Sequence, residues 1–233
     1  MCGRYSIAKD SSELEKVVRF VYRSPQFKAR YNIAPRSFVP VLVLENETVL
    51  KSMRWGLIPP WAKDEAIGDK MINARAETLT EKASFKKPFQ TQRCLVPATG
   101  YFEWQRTGAG KIPFQFSMAD DRFFCIAGLW ERWTRPHRDG ELGLDDSGPG
   151  LNQVVESFTI ITTEPNSIAA QVHDRMPVIV DQEHYSRWLE PESSEESLKT
   201  LFKPYPTEKM QVHRVSAVVN NARKDGPECI KPA

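Results

Sequence analysis

Short apolar runs separated by polar punctuation occupy most of the 233-residue chain. FVPVLVL at 38–44, TVLKSMRW at 48–55, FQFSM at 114–118, FFCIAGLW at 123–130, SFTIITT at 157–163 and MPVIV at 176–180 are rich in β-branched and aromatic residues, and the pattern predicts strands. QVHRV at 211–215 predicts a closing strand. In SSELEKVVRFVY at 11–22, Leu14, Val17, Val18 and Val21 recur at helical spacing behind a Ser12/Glu15 capping box, which predicts a surface helix packed on the core. QEHYSRWL and EESLKTLF predict late helices. The mixture implies an α+β fold, one domain over residues 1–233 with a mainly antiparallel sheet or barrel-like core flanked by helices. The segment 134–153, rich in Gly, Asp and Pro and without periodicity, reads as a flexible surface insertion in that domain.

Composition narrows the picture. With 40% apolar residues the chain can bury a substantial core without disulfide staples. It has no apolar run near the roughly 18 residues needed to span a bilayer, and its start does not resemble a signal peptide. The expectation is a soluble intracellular protein with no membrane association. Cys2, Cys94, Cys125 and Cys229 form no CxxC pair, which fits reduced thiols, with Cys94 and Cys125 as small buried apolar residues. No metal-ligand spacing is evident, so no metal or cofactor is expected. Lys plus Arg exceed Asp plus Glu by 32 − 30 = 2, so affinity for a polyanion must come from a local patch.

Four stretches carry candidate chemistry. MCGRY opens the chain: removal of Met1 leaves Cys2 with a free amine and a thiol on adjacent carbons, and Arg4 follows two residues on. The plain alternative is a frayed terminus. In INARAE at 72–77, alternation predicts Asn73, Arg75 and Glu77 on one face of an extended segment, either as site or as solvated strand face. GYFEWQ at 100–105 flanks Glu103 with Tyr101, Phe102 and Trp104; desolvation raises the proton affinity of such a carboxylate, which suits a general acid or base. The alternative is an exposed edge-strand Glu. VHDRMPV places His173, Asp174 and Arg175 at the entrance of a strand, where polar side chains often reach into a site, with Asp174 a candidate orienter of the imidazole. His137, His184 and His213 have no comparable setting. Trp61 and Trp104, with Arg4, Arg54, Arg75 and Arg175, offer the parts of a groove that stacks bases and pairs phosphates, while Trp55 reads first as core.

MCGRY, RYNIAP at 30–35, WGLIPPW at 55–61, INARAET at 72–78, RCLVPATGYFEW at 93–104 and HDRMPVIV at 173–180, in this order, resemble the signature of the SOS-response-associated peptidase (SRAP) family over nearly the whole chain. The resemblance implies recognition of abasic sites in single-stranded DNA and covalent capture through Cys2, with Asn73, Glu103 and His173 as active-site positions. It also implies Arg4, Arg75 and Arg175 at phosphates, Trp61 and Trp104 against DNA, and no obligate protein partner. The family's peptidase name implies autolytic processing at the Met1–Cys2 bond. The compartment would be the cytoplasm, near the nucleoid, in a bacterium and the nucleus in a eukaryote. Phe102 stands where many members would carry a second Tyr, and the 134–153 insertion is longer than in compact members. Two other readings compete. An N-terminal-nucleophile glutamine amidotransferase also begins Met-Cys-Gly, and DGE at 139–141 faintly resembles its glutamine-binding motif, without the companion motifs. A non-catalytic reader of single-stranded or modified DNA would use the aromatic and basic residues but leave Cys2 unexplained.

Overall fold

The apolar runs build sheets, and the computed structural model describes them over residues 2–108, 110–136 and 154–233. In chain order the strands are β1 (Tyr5–Ile7), β2 (Val21–Tyr22), β3 (Arg30–Ile33), β4 (Phe38–Leu44), β5 (Thr48–Trp55), β6 (Asn73–Arg75) and β7 (Arg93–Ala98), then β8 (Gly100–Thr107), β9 (Gly110–Met118), β10 (Phe124–Thr134), β11 (Val154–Thr163), β12 (Met176–Pro177), β13 (Ile179–Val180) and β14 (Met210–Arg214). Among the described residues, the short α-helices α1 (Ser11–Glu15), α2 (Ala83–Thr91), α3 (Tyr185–Leu189) and α4 (Glu195–Lys199) flank them. The fold is α+β with a mainly antiparallel, barrel-like core.

One sheet runs β14-β9-β8-β1-β3, and the other runs β12-β11-β10-β7-β4-β5-β2. The second sheet closes on itself, because β5 also pairs in parallel with β11, Ser157 opposite Arg54 and Phe158 opposite Trp55. That closure removes the free edges of β5 and β11 over this stretch, an arrangement that protects backbone donors and acceptors. A single apolar cluster then joins both sheets, with Tyr5, Ile33, Tyr101 and Phe116 from the first meeting Trp55, Leu42 and Phe158 from the second. Tyr5 meets the Trp55 ring edge-on at 5.2 Å, and Trp55 stacks on Phe158 at 6.4 Å. Burying side chains of this size supplies about 1.5–3 kcal/mol each.

Several expectations are corrected. The helix expected across 11–22 ends at Glu15, and Val21–Tyr22 instead pairs in parallel with Val49–Leu50. β-branched and aromatic residues lose little in that extended state, so the edge of β5 captures them. The cap is Asp10 rather than Ser12: its carboxylate accepts from the Ser12 N–H at 3.2 Å and the Ser12 hydroxyl at 2.7 Å. The extended run expected through Glu77 stops at Arg75 and turns into a 3-10 helix at Ala76–Thr78. MPVIV divides into two two-residue strands with different partners, β12 on β11 and β13 on β10. The expected insertion at 134–153 lies outside the described residues apart from its first three, and so do His137 and the DGE stretch.

Candidate functional site

The site begins with the way β1 is held. Tyr5 pairs with Tyr101 on β8 and with Ile33 on β3, and the Phe102 N–H donates to the Arg4 carbonyl at 2.9 Å. This brings the residues before Tyr5 alongside Glu103. From the second sheet β6, paired in parallel with β11, aims Asn73 at the same place, and its Nδ2 donates to the Cys2 carbonyl at 2.9 Å. Cys2 is thus clamped between the sheets with no exposed surface, its thiol 3.9 Å from the Arg4 carbonyl. Burial pushes the thiol pKa far up, and the Glu103 carboxylate adds to the effect, so the sulfur is held as S–H.

Glu103 projects from the same face of β8 as Tyr101, two residues apart, and only 3% of it is exposed. Desolvation pushes its pKa up to about 7, against the opposing pull of the positive charge at the amino terminus. A 3-10 turn at Ala169–Gln171 then delivers His173, whose Nε2 lies 3.9 Å from Glu103 Oε2. The imidazole is contested at its other nitrogen. The Arg175 N–H donates to Nδ1 at 3.0 Å, and Asp174 Oδ1 lies 2.8 Å from the same atom. One nitrogen cannot offer a lone pair to the first and a proton to the second. Burial, the leading influence, lowers the His173 pKa and favours the neutral ring, while Asp174 and the Arg175 N–H oppose it; a neutral ring that accepts the Arg175 N–H at Nδ1 carries its proton on Nε2, toward Glu103.

Above this group opens a cleft of about 1050 Å³ lined by Arg4, Arg75, Trp104 and Arg175, among others. The three arginines differ. Arg4 is half-buried; its Nη1 donates to Asn32 Oδ1 at 2.7 Å and to the Val219 carbonyl at 2.9 Å, and its guanidinium lies 5.8 Å from the centre of the Trp104 ring. Arg175 is already engaged, donating to both carboxylate oxygens of Glu77 at 2.7 and 2.9 Å and to the Thr162 carbonyl at 2.6 Å. Arg75 is exposed, and its side chain makes no hydrogen bond or close ion pair among the described residues, acting only through its charge on Glu77. Trp61, 59% exposed on the turn after β5, stands apart from the cleft lining. Trp55 and Arg54 are buried structural groups: Trp55 Nε1 donates to the Ile72 carbonyl at 3.0 Å, and Arg54 pairs with Asp69 at 3.0 Å.

Sequence reasoning brought together Cys2, Asn73, Glu103 and His173, but missed the outer part of the cleft. Arg106 and Lys111 face one another in the β8–β9 register and both line it. Like charges directly opposite across a ladder are unfavourable, and a Lys beside a hairpin turn that faces an Arg is a signal the sequence did contain. Asn220 was also missed: it accepts from Trp104 Nε1 at 2.7 Å, a contact spanning 116 residues that no local pattern announces.

A family model, SOS response associated peptidase (SRAP), matches residues 1–222. The chain belongs to this family. It is 37% identical to the abasic site processing protein YoqW of Bacillus subtilis (strain 168), covering 99% of each chain. It is 32% identical to the abasic site processing protein HMCES of Xenopus tropicalis, covering 89% of this chain and 67% of the relative. A crystal structure of a protein from Bacteroides thetaiotaomicron superposes with a TM-score of 0.83 at 29% identity over 100% of both chains, so the family fold extends along the whole chain.

Proposed function

We propose that this SRAP-family protein processes abasic sites in single-stranded DNA by capturing them on Cys2 as a covalent thiazolidine. The observation that carries the reading is the buried junction at which Asn73 clamps Cys2 beside a carboxyl group whose pKa lies near neutrality, at the base of a cleft rimmed by arginines and Trp104. Once Met1 is removed, the Cys2 amine, with a reference pKa near 8, can attack the aldehyde of the ring-opened deoxyribose. A C–N bond forms, the former carbonyl oxygen takes up protons, and water leaves to give an imine. The thiol then adds to the imine carbon: the C–S bond forms, the S–H proton leaves sulfur, and the imine nitrogen gains a proton, so aldehyde plus aminothiol yields thiazolidine plus one water. Because burial holds the sulfur protonated, a nearby group must relay that proton. Glu103, poised near pH 7, can both accept and return it. His173, with Nε2–H toward Glu103, is assigned to ring opening, and Asn73 orients the Cys2 backbone. The closed geometry supplies an effective concentration that a free aminothiol lacks. Arg4, Arg75 and Arg175 are assigned to phosphates, Trp104 to a base beside the lesion, and Trp61 to the strand beyond it. A duplex would hold the lesion away from so buried a thiol, which favours the single strand.

The deciding experiment is intact mass after mixing with an abasic single strand, with and without borohydride. The wild-type protein lacking Met1 should form an adduct that survives without reductant. Cys2→Ala keeps the amine and loses the thiol, so it should be trapped only by borohydride. Durable unreduced adducts from Cys2→Ala, or efficient capture by protein that wholly retains Met1, would overturn the mechanism.

A further inference from the structure

The outward face of β8 is packed against a segment that no catalytic assignment uses. Phe102, which alternates with Glu103, joins Val215, Val219 and Cys229 in a small apolar cluster of its own, with Trp104 and Tyr31 against it. The 3-10 helix Ala217–Asn220 thereby walls the cleft through its last residue, Asn220, which lines it and accepts from Trp104 Nε1.

What seats the wall is a hub on β3. Asn32, 1% exposed, donates through Nδ2 to the carbonyls of Val219 at 3.2 Å, Asn221 at 3.1 Å and Lys224 at 2.6 Å, while its Oδ1 accepts from Arg4. One amide thus has its donors committed to the wall and its acceptor to a cleft arginine. Asn32 is itself fixed by Asp225, whose Oδ1 accepts from the backbone N–H of Tyr31 at 2.6 Å and of Asn32 at 2.7 Å, and whose Oδ2 accepts from Arg30 Nε at 2.7 Å. Asp225 lies beyond the residues matched by the family model, which end at 222.

We infer that Asp225, acting through Asn32, is a positioning residue for DNA binding: it latches residues 216–225 against β3 and so sets the Arg4 guanidinium and the Trp104 ring, 5.8 Å apart, side by side on the cleft wall that the strand would follow. The inference rests on the proposed capture of single-stranded DNA. Carboxylate acceptance of two backbone N–H groups is the essential contact, and the Arg30 pair, 38% exposed on the arginine side, adds little.

The test uses Asp225→Ala and Asp225→Asn in the full chain, because Asn32 is too buried for its truncation to be read cleanly. Asn keeps an oxygen that can accept from Tyr31 and Asn32, whereas Ala removes it. Equilibrium binding to an undamaged single strand should weaken about tenfold in Asp225→Ala, equivalent to about 1.4 kcal/mol, and stay within about twofold of wild type in Asp225→Asn. In an Arg4→Ala background, Asp225→Ala should weaken binding by no more than about twofold, because the two changes share one route. Hydrogen exchange read on residues 216–225 without DNA should show lost protection in the Ala variant alone. Unchanged protection, or a full tenfold effect retained without Arg4, would overturn the latch. Failure of the wild-type protein to bind the strand would overturn the proposed function instead, and the exchange measurement would still decide whether Asp225 seats the wall.

Discussion

At the scale of single residues, the site depends on a carboxyl group kept out of water. Glu103 is moved from an ordinary 4.5 to about 7, chiefly by desolvation. That shift has a sign for stability. The folded protein holds the Glu103 proton more tightly than the unfolded chain, so the stabilisation is fully present below about pH 4.5 and is lost as pH rises through about 7, with a span of order 3 kcal/mol. Thermal midpoints measured from pH 4 to 8 should fall across that window in the wild-type protein, and the fall should be smaller in Glu103→Gln. His173, with a lowered pKa, contributes with the opposite sign, so the comparison with the Gln variant is the informative one. The same substitution should slow durable crosslinking by roughly 10²-fold, since the amide keeps the shape but cannot relay a proton. Capture at the wild-type rate would remove Glu103 from the mechanism. Residues of this kind were legible in the sequence because their setting is local: aromatic neighbours around an acid, a His at a strand entrance. Asn32 was not, because the three carbonyls to which its amide donates lie 187 to 192 residues away and nothing in RYNIAP announces them.

At the scale of elements, the runs at 38–44 and 48–55 became strands with those same bounds, since a buried strand is marked by its own apolar sequence. The segment 11–22 shows the opposite case. Its helical spacing is real, but parallel pairing of Val21–Tyr22 with β5 outcompetes a helix whose second half is β-branched and aromatic. The loop that follows β5 positions the site in a way that spacing could not show. Gly56 has φ +115°, and a Cβ there would lie 2.6 Å from the Gly68 carbonyl oxygen and 3.0 Å from Arg54 Nη1. The two glycines let the backbone after Trp55 and the 3-10 turn Glu65–Lys70 touch, and that turn leads into Asn73. Gly56→Ala should therefore lower stability by at least about 1–3 kcal/mol, from strained backbone alone, and also displace Asn73 from the Cys2 carbonyl. Chemical denaturation checks the first effect, and crosslinking rates measured well below the unfolding midpoint check the second. Wild-type stability in this variant would mean that the loop relaxes freely and does not set the site.

At the scale of the whole molecule, an excess of 32 − 30 = 2 positive charges provides little long-range attraction for DNA, so binding must come from how few cations are placed. Arg4, Arg75, Arg106, Lys111 and Arg175 line one cleft, with Glu103 and Asp174 as its acidic members. They are not equivalent donors. The Arg75 side chain makes no hydrogen bond or close ion pair among the described residues and acts on Glu77 only through its charge, so a phosphate that meets it breaks no protein hydrogen bond. Arg175 must share its guanidinium with a Glu77 that is itself exposed and whose pKa is lowered chiefly by that hydrogen bonding. Each phosphate contact on a single strand contributes up to about 0.7 to the slope of log K against log salt. Titrations of an undamaged single strand at several salt concentrations should then show a slope reduced by up to about 0.7 in Arg75→Ala and by less in Arg175→Ala. Glu77→Gln removes the competing carboxylate and should tighten binding, most clearly at low salt, where screening is weakest. Equal slope changes at Arg75 and Arg175, together with no gain from Glu77→Gln, would show that DNA pulls Arg175 from its partner without penalty. Unchanged slopes in both arginine variants would shift the source of affinity to Trp104 and Trp61, whose stacking on bases is far less sensitive to salt.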